Sequence, residues 1–335
     1  MSCNVPFRGP QSDPPKKAIP MKNLMLDPQA RALLDQAQLK GARPINSLPP
    51  QEARKAYLES RLPTQPTPQP IGTRRDFAVP GLAGAIPVRE YRPLGSTPTE
   101  VLPALVFFHG GGWVIGDHES HDVLCRDLCH LARCAVFSVD YRLGPEHRFP
   151  AAFDDALSVT TWLAQNAQEA AIDAARMGVG GDSAGGNLAA AVALALGDGT
   201  VVKLAAQLLA YPVTDLHFQT PSFQQHGEGY SLSAADMHYF RAHYTATPVD
   251  YTDWRASPLL ADDHSGLPPA LVITAGFDPL RDEARLYADQ LSAAGNAVQY
   301  ICFERQMHGF LGMGGVIDEA QTAVRLCADW LKRRL

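Results

Sequence analysis

From about Arg75 to the end of the chain, short unbroken apolar runs alternate with longer stretches in which apolar residues recur at helical spacing. The runs are carried by VREYRP, PALVFFHGG, CAVFSVDYR, RMGVGGDS, LAAQLLAYPV, PALVITAGFDP and AVQYICFER. Runs this short and this apolar predict strands buried on both faces. Between them, FPAAFDDALSVTTWLAQNA, GGNLAAAVALAL and RDEARLYADQLSAAG predict helices. That order implies an α/β architecture, a mainly parallel sheet covered by helices on both sides.

Two regions break the rhythm. Residues 1–75 are rich in proline and polar residues but hold two amphipathic segments. One starts at Asp27, a good N-cap, and puts Ala30, Leu33, Leu34 and Ala37 on one face; the other starts at Ser47 and aligns Ala53, Tyr57 and Leu58. Neither can bury its own apolar face, so both should lie on another part of the chain. The stretch from Leu216 to Ser257 is aromatic, polar and loop-like, and is expected to be an insertion that joins the N-terminal helices as a cap. The expected division is 1–75 for the N-terminal part of the cap, 76–215 for the first part of the core, 216–257 for the insertion and 258–335 for the second part of the core.

The formal charge of −6, with acidic residues dispersed, argues against nucleic acid as a partner. No apolar run is long enough to cross a bilayer, and the first residues lack the features of a secretory signal, so no membrane association and a cytoplasmic address are expected. Six cysteines in 335 residues do not form a disulfide framework. Cys125, Cys129 and Cys134 lie near His118, His121 and His130, but no CxxC pair is present and buried thiols account for them better than a metal site. No metal and no cofactor are expected.

The densest glycine stretch, GVGGDSAGG, sits where a predicted strand meets a predicted helix. Gly181-Asp182-Ser183-Ala184-Gly185 matches G-x-S-x-G, a sharp turn that lifts a serine hydroxyl above the sheet. A Cβ at 181 or 185 should collide with the neighbouring strand or helix. The turn lacks the G-K-[ST] ending of a phosphate loop and the spacing of a dinucleotide fingerprint. A serine needs a base, and a base needs an orienting acid. His308 follows the last predicted strand and Asp278 the one before it, with Asp282 and Glu283 as rival carboxylates inside the next helix. His109-Gly110-Gly111-Gly112-Trp113 ends another strand, where successive glycines let backbone N–H groups converge on a developing oxyanion.

Taken together, HGGGW at 109–113, VDYRLGPEHRFPAAFDDA at 139–156, GDSAGGNLAA at 181–190, DPLRDEA at 278–284 and HGF at 308–310 strongly resemble the hormone-sensitive-lipase-like microbial esterases of the α/β-hydrolase superfamily. The resemblance runs from about residue 75 to the C-terminus. It implies an α/β-hydrolase fold, a mostly parallel eight-stranded sheet flanked by helices with a helical cap. It implies Ser183 as nucleophile, His308 as base then acid, Asp278 as its orienting partner, and an oxyanion hole from the N–H groups of Gly111, Gly112 and Ala184. His109 is then structural, and Glu146, Asp154 and Asp155 are structural or hydrogen-bonding groups. Gly144 and Arg148 depart from the family's LAPEHPFPAA.

The activity implied is hydrolysis of a small-molecule ester with a short to medium acyl chain, through an acyl-enzyme. Trp113, Asp182, Phe218 and Tyr230 are expected around the substrate; the aromatic cluster that Phe218 and Tyr230 share with Phe223, Tyr239, Phe240 and Tyr244 either lines the acyl or alcohol pocket or packs the cap onto the core. An amidase, carbamate hydrolase or deacetylase would use the same groups, and a non-catalytic ligand-binding protein is the rival from another class. The exposed edge of the last strand is a candidate homodimer contact.

Overall fold

The computed structural model describes residues 25–197 and 199–335; the first 24 residues of the expected N-terminal segment lie outside it. Eight strands form one sheet in the order β1-β2-β4-β3-β5-β6-β7-β8. They are β1 (Thr73–Gly81), β2 (Gly84–Arg92), β3 (Leu102–Phe108), β4 (Ala135–Val139), β5 (Ile172–Asp182), β6 (Ala206–Ala210), β7 (Ala270–Phe277) and β8 (Val298–Met307). Only β2 runs against the others, pairing antiparallel with β1 and β4. The remaining pairs are parallel, as continuous apolar runs require.

Seven strands coincide with the apolar runs, and β1 does not. Its sequence, TRRDFAVPG, is polar and mostly exposed because it is an edge strand joined to β2 by a tight hairpin that pairs Gly81 with Gly84. Period-2 burial with charged residues outward carries no buried-run signal.

The helices are α1 (Pro28–Leu39), α2 (Pro50–Arg61), α3 (His118–Ala132), α4 (Ala151–Gln165), α5 (Ala184–Ala195), α6 (Pro221–His226), α7 (Ala234–Tyr244), α8 (Arg281–Ala293) and α9 (Asp318–Arg334). Alternation along the strands sends Leu105 and Phe107 to one face, where α3 and α9 pack. Val106 and Phe108 go to the other, with α4, α5 and α8. The alanine-rich α5 is buried from Ala184 to Ala193, since small side chains let it approach the sheet closely.

Asp27 caps α1, accepting from the N–H groups of Gln29 and Ala30. Ser47 does not begin α2. It closes a separate turn, its Oγ donating to the Pro44 carbonyl, and α2 starts at Pro50, whose missing N–H costs nothing in a first turn. The insertion is less loop-like than its composition suggests: α7 carries a capping box between Ser233 and Asp236. Asp236 also accepts from Asn46 N and Nδ2 at 3.2 and 2.7 Å, and Tyr239 Oη donates to the Leu48 carbonyl. These bonds tie the N-terminal segment to the insertion.

Among the described residues no helix is long and apolar enough to cross a membrane, and no group of three or more His, Cys, Asp or Glu is arranged to hold a metal.

Candidate active site

Strand β5 ends at Asp182 and α5 begins at Ala184, so Ser183 alone makes the turn, at φ 56° and ψ −118°. That left-handed conformation is strained for a residue with a side chain, and the surroundings enforce it. Ser183 N donates to Ala210 O at 2.8 Å, locking the turn to β6. A Cβ on Gly181 would lie 2.5 Å from Phe108 O, and one on Gly185 would lie 2.7 Å from His109 O. The turn therefore admits no side chain on either flank of the serine.

Asp278 follows β7 and His308 follows β8, so two neighbouring strand ends deliver them to the same edge. His308 Nε2 is 2.9 Å from Ser183 Oγ, and its Nδ1 is 2.7 Å from Asp278 Oδ2. Asp278 is fully buried, and its Oδ1 accepts from Leu280 N. A carboxylate on Nδ1 fixes the tautomer that leaves Nε2 free to take the serine proton. The rival carboxylates, in the first turn of α8, are engaged elsewhere. Asp282 accepts from Ser222 N, and Glu283 accepts from Thr214 N and Asp215 N.

The glycine loop follows β3. Gly111 and Gly112 have φ of 128° and 58°, where glycine is favoured, and a Cβ on Gly112 would strike the Phe240 ring. Among the described residues the N–H groups of Gly111, Gly112 and Ala184 are donated to no protein acceptor, whereas Gly110 N is held by Asp182 Oδ1 at 2.9 Å. The three free donors and the serine hydroxyl are thus carried by adjacent turns. Below them, His109 stacks on Tyr141 at 4.3 Å, and burial pushes its pKa down to about 3, so it is neutral and braces the loop.

Asp182 joins the two motifs. Burial alone would raise its pKa, but His121 at 3.1 Å, Arg61 and Gly110 N together hold it down at about 2. The ionised carboxylate clamps the glycine loop against the nucleophile turn.

Ser183 and His308 open into a cavity of about 710 Å³ beneath the cap, with walls from Leu33, Leu34, Ile45, Leu232 and Phe240. The α1 face predicted from the sequence is thus largely a cavity wall. Of the four residues expected around the substrate, only Asp182 borders this space. Trp113 is fully buried, stacked on Tyr244 at 4.3 Å and 6°. Phe218 stacks on Phe223 at 5.1 Å inside the cap, and Tyr230 packs on Phe277 and His226. Aromatic composition marks the cap but does not say which rings face its interior.

Several cap ties were not foreseen. Arg54 of α2 donates to Val114 O, Gly144 O and both oxygens of Glu146. Ser231 Oγ donates to the His308 carbonyl at 2.7 Å. The two departures from the family pattern act together: a Cβ on Gly144 would lie 2.6 Å from His243 O, and Arg148 donates to the carbonyls of Ala242 and Thr245. Glycine makes room for the end of α7, and the arginine satisfies its terminal carbonyls. Asp155 pairs with Arg142.

Residues 105–312 match the family model described as the alpha/beta hydrolase fold. The chain is 42% identical over 296 residues to carboxylic ester hydrolase LipN of Mycobacterium tuberculosis, covering 86% of this chain and 77% of that protein. It is 39% identical over 296 residues to the ethyl acetate hydrolase of Pseudomonas putida, covering 87% and 92%. Among solved structures, an α/β hydrolase enzyme from the metagenome of Lake Arreo, Spain, superposes with a TM-score of 0.88 at 42% identity, covering 92% of this chain and 98% of that one. A hyperthermophilic esterase from the archaeon Pyrobaculum calidifontis gives 0.85 at 38%, covering 92% and 98%. The chain belongs to the α/β-hydrolase fold family and, within it, to the hormone-sensitive-lipase-like esterases.

Proposed function

We propose that this protein is a serine carboxylesterase that hydrolyses small-molecule esters of short to medium acyl chain. The observation that carries the reading is the 2.9 Å contact of His308 Nε2 with Ser183 Oγ, backed by the 2.7 Å contact of Nδ1 with Asp278, at the base of a largely apolar cavity. As Ser183 Oγ attacks the ester carbonyl, His308 takes its proton and Asp278 stabilises the imidazolium. The tetrahedral oxyanion meets the unspent N–H groups of Gly111, Gly112 and Ala184. His308 then gives the proton to the leaving alcohol, and water, deprotonated by the same imidazole, releases the acid from Ser183. The walls accept an acyl chain by burial, and no cofactor enters the cycle.

Hydrolysis of p-nitrophenyl esters of graded chain length, run beside the matching anilides, tests the assignment. Turnover of the short and medium esters with little on the anilides is expected. Anilide turnover equal to that of the esters would make the protein an amidase.

Homodimer formation through the β8 edge and a cytoplasmic address belong to the same proposal. The first is supported by the outer position of β8, and the second by five free cysteines among the described residues. Light scattering at two ionic strengths decides the first: a monomer mass would exclude it.

A further inference from the structure

Arg61 ends α2 with its side chain only 6% exposed, between the catalytic cavity and a second, much smaller one lined by Gly312, Ser120 and His121. Among the described residues it makes one hydrogen bond, from Nη1 to the carbonyl of Gly309 at 3.2 Å, in the residue that follows the catalytic imidazole. Its Nε is buried with no partner, and no carboxylate lies within ion-pair distance among those residues. The Tyr57 ring lies 5.7 Å from the guanidinium carbon. Asp182 acts on it through space, but the Asp182 carboxylate is already engaged by His121 and Gly110 N. Of the other acids on the cavity wall, Asp236 is committed to Asn46 and Ser233, and Glu59 is exposed, 3.9 Å from Lys55. Space for the guanidinium is kept by Gly312, where a Cβ would fall 3.0 Å from Arg61 Cζ.

A guanidinium cannot shed its charge on burial as a lysine can, and a buried charge is costly unless an anion pairs with it. Here the fork has five donors, one of them spent, on a residue that lines the space where the ester must lie. Asp182 meets the charge only through space, and no carboxylate among the described residues takes up the open donors.

We propose that Arg61 is a specificity-determining residue that pairs with a carboxylate carried by the substrate, so that the favoured esters are half-esters of dicarboxylic acids. This rests on the esterase reading and deepens it. The chemistry at Ser183 is unchanged: water adds across the ester C–O bond, the alcohol leaves with the proton from His308, and the second carboxylate stays on Arg61 throughout. Because the guanidinium is hydrogen-bonded to the carbonyl of Gly309, the residue after the base, pairing also sets how far from the carboxylate the scissile carbonyl lies.

The test compares monomethyl glutarate with methyl pentanoate, close in length and differing in one charge. The wild type should show kcat/KM at least about tenfold higher for the charged ester, as a charge-assisted pair in a desolvated site allows. Arg61→Met should remove that ratio, and Arg61→Lys should restore part of it. A wild-type ratio at or below unity, unchanged in Arg61→Met, would overturn the proposal. If Arg61→Met fails to fold, the wild type still decides: monomethyl glutarate should compete with p-nitrophenyl butyrate at about tenfold lower concentration than methyl pentanoate, with added salt weakening only the former. Equal competition overturns it. Should no ester be turned over, the hydrolase reading fails separately, and binding of the two methyl esters to Ser183→Ala judges Arg61 alone: tighter binding of the charged ester supports it, and equal binding overturns it.

Discussion

The nucleophile turn and the cap border the same cavity but are held in place by different means. Around Ser183 the constraint is mainly backbone against backbone, with the Asp182 carboxylate as a side-chain clamp: glycines at 181 and 185 let Phe108 and His109 approach closely, and a main-chain bond ties the turn to β6. Around the cap it is side chain against backbone, with Arg54, Asp236, Tyr239, Ser231 and Arg148 each reaching a distant segment. Backbone packing leaves almost no alternative sequence. Side-chain ties need only match the surface they reach, as Gly144 and Arg148 do at the end of α7. The Ser183 turn is therefore held where no side chain can be added at its flanks, and the cavity walls are held by side-chain contacts.

Substitutions at the nucleophile turn should separate most sharply from those in the cap. Ser183→Ala should lower kcat by at least about 1000-fold while leaving the melting temperature nearly unchanged, measured by ester hydrolysis and calorimetry on the same sample. Gly111→Ala comes next: its φ of 128° and the nearby Ile115 backbone exclude a Cβ, so the loop must move and an oxyanion donor with it. A loss of about 100- to 1000-fold in kcat is expected. In the cap, Arg54→Met should leave kcat within about tenfold of wild type while costing about 1–2 kcal/mol in urea denaturation, since its ion pair with Glu146 is partly exposed and screened. If Arg54→Met instead abolished turnover at full stability, the two regions would not be separable.

A pH titration sharpens the same contrast. His109, buried under the glycine loop, has its pKa pushed down to about 3, whereas in the unfolded chain it takes a proton from about 6.5 downward. Below about 6.5 the unfolded state binds the extra proton, so folding stability should fall by about 1.4 kcal/mol per pH unit from this residue until about pH 3. A Gln at position 109 should flatten that slope in denaturation experiments across pH 4–7. The smallest effect is expected at Phe240, where truncation to Ala should raise KM for medium-chain esters a few-fold, about the worth of a partly lost apolar contact, and leave acetate esters alone.

Much of the core could be read from the sequence because its signals are local. Buried parallel strands announce themselves as apolar runs, and G-x-S-x-G, HGGG and the strand-end Asp and His are short patterns with one physical purpose. Strand β1 lacked such a signal, being charged and exposed at the sheet edge. The cap was harder for a different reason. Trp113, Phe218 and Tyr230 are aromatic like Phe240, yet only Phe240 reaches the cavity, and that choice is made by tertiary packing. Arg61 resembles any arginine at the end of a helix until its burial and its unpartnered Nε are seen.

The central claim, that Ser183 is made nucleophilic by His308, is tested most directly by peptide mass spectrometry after exposure to an organophosphonate ester. The adduct should appear on the peptide containing Ser183 in the wild type, and should vanish in Ser183→Ala and slow drastically in His308→Ala. Equal labelling of His308→Ala, or an adduct on another serine, would contradict the account.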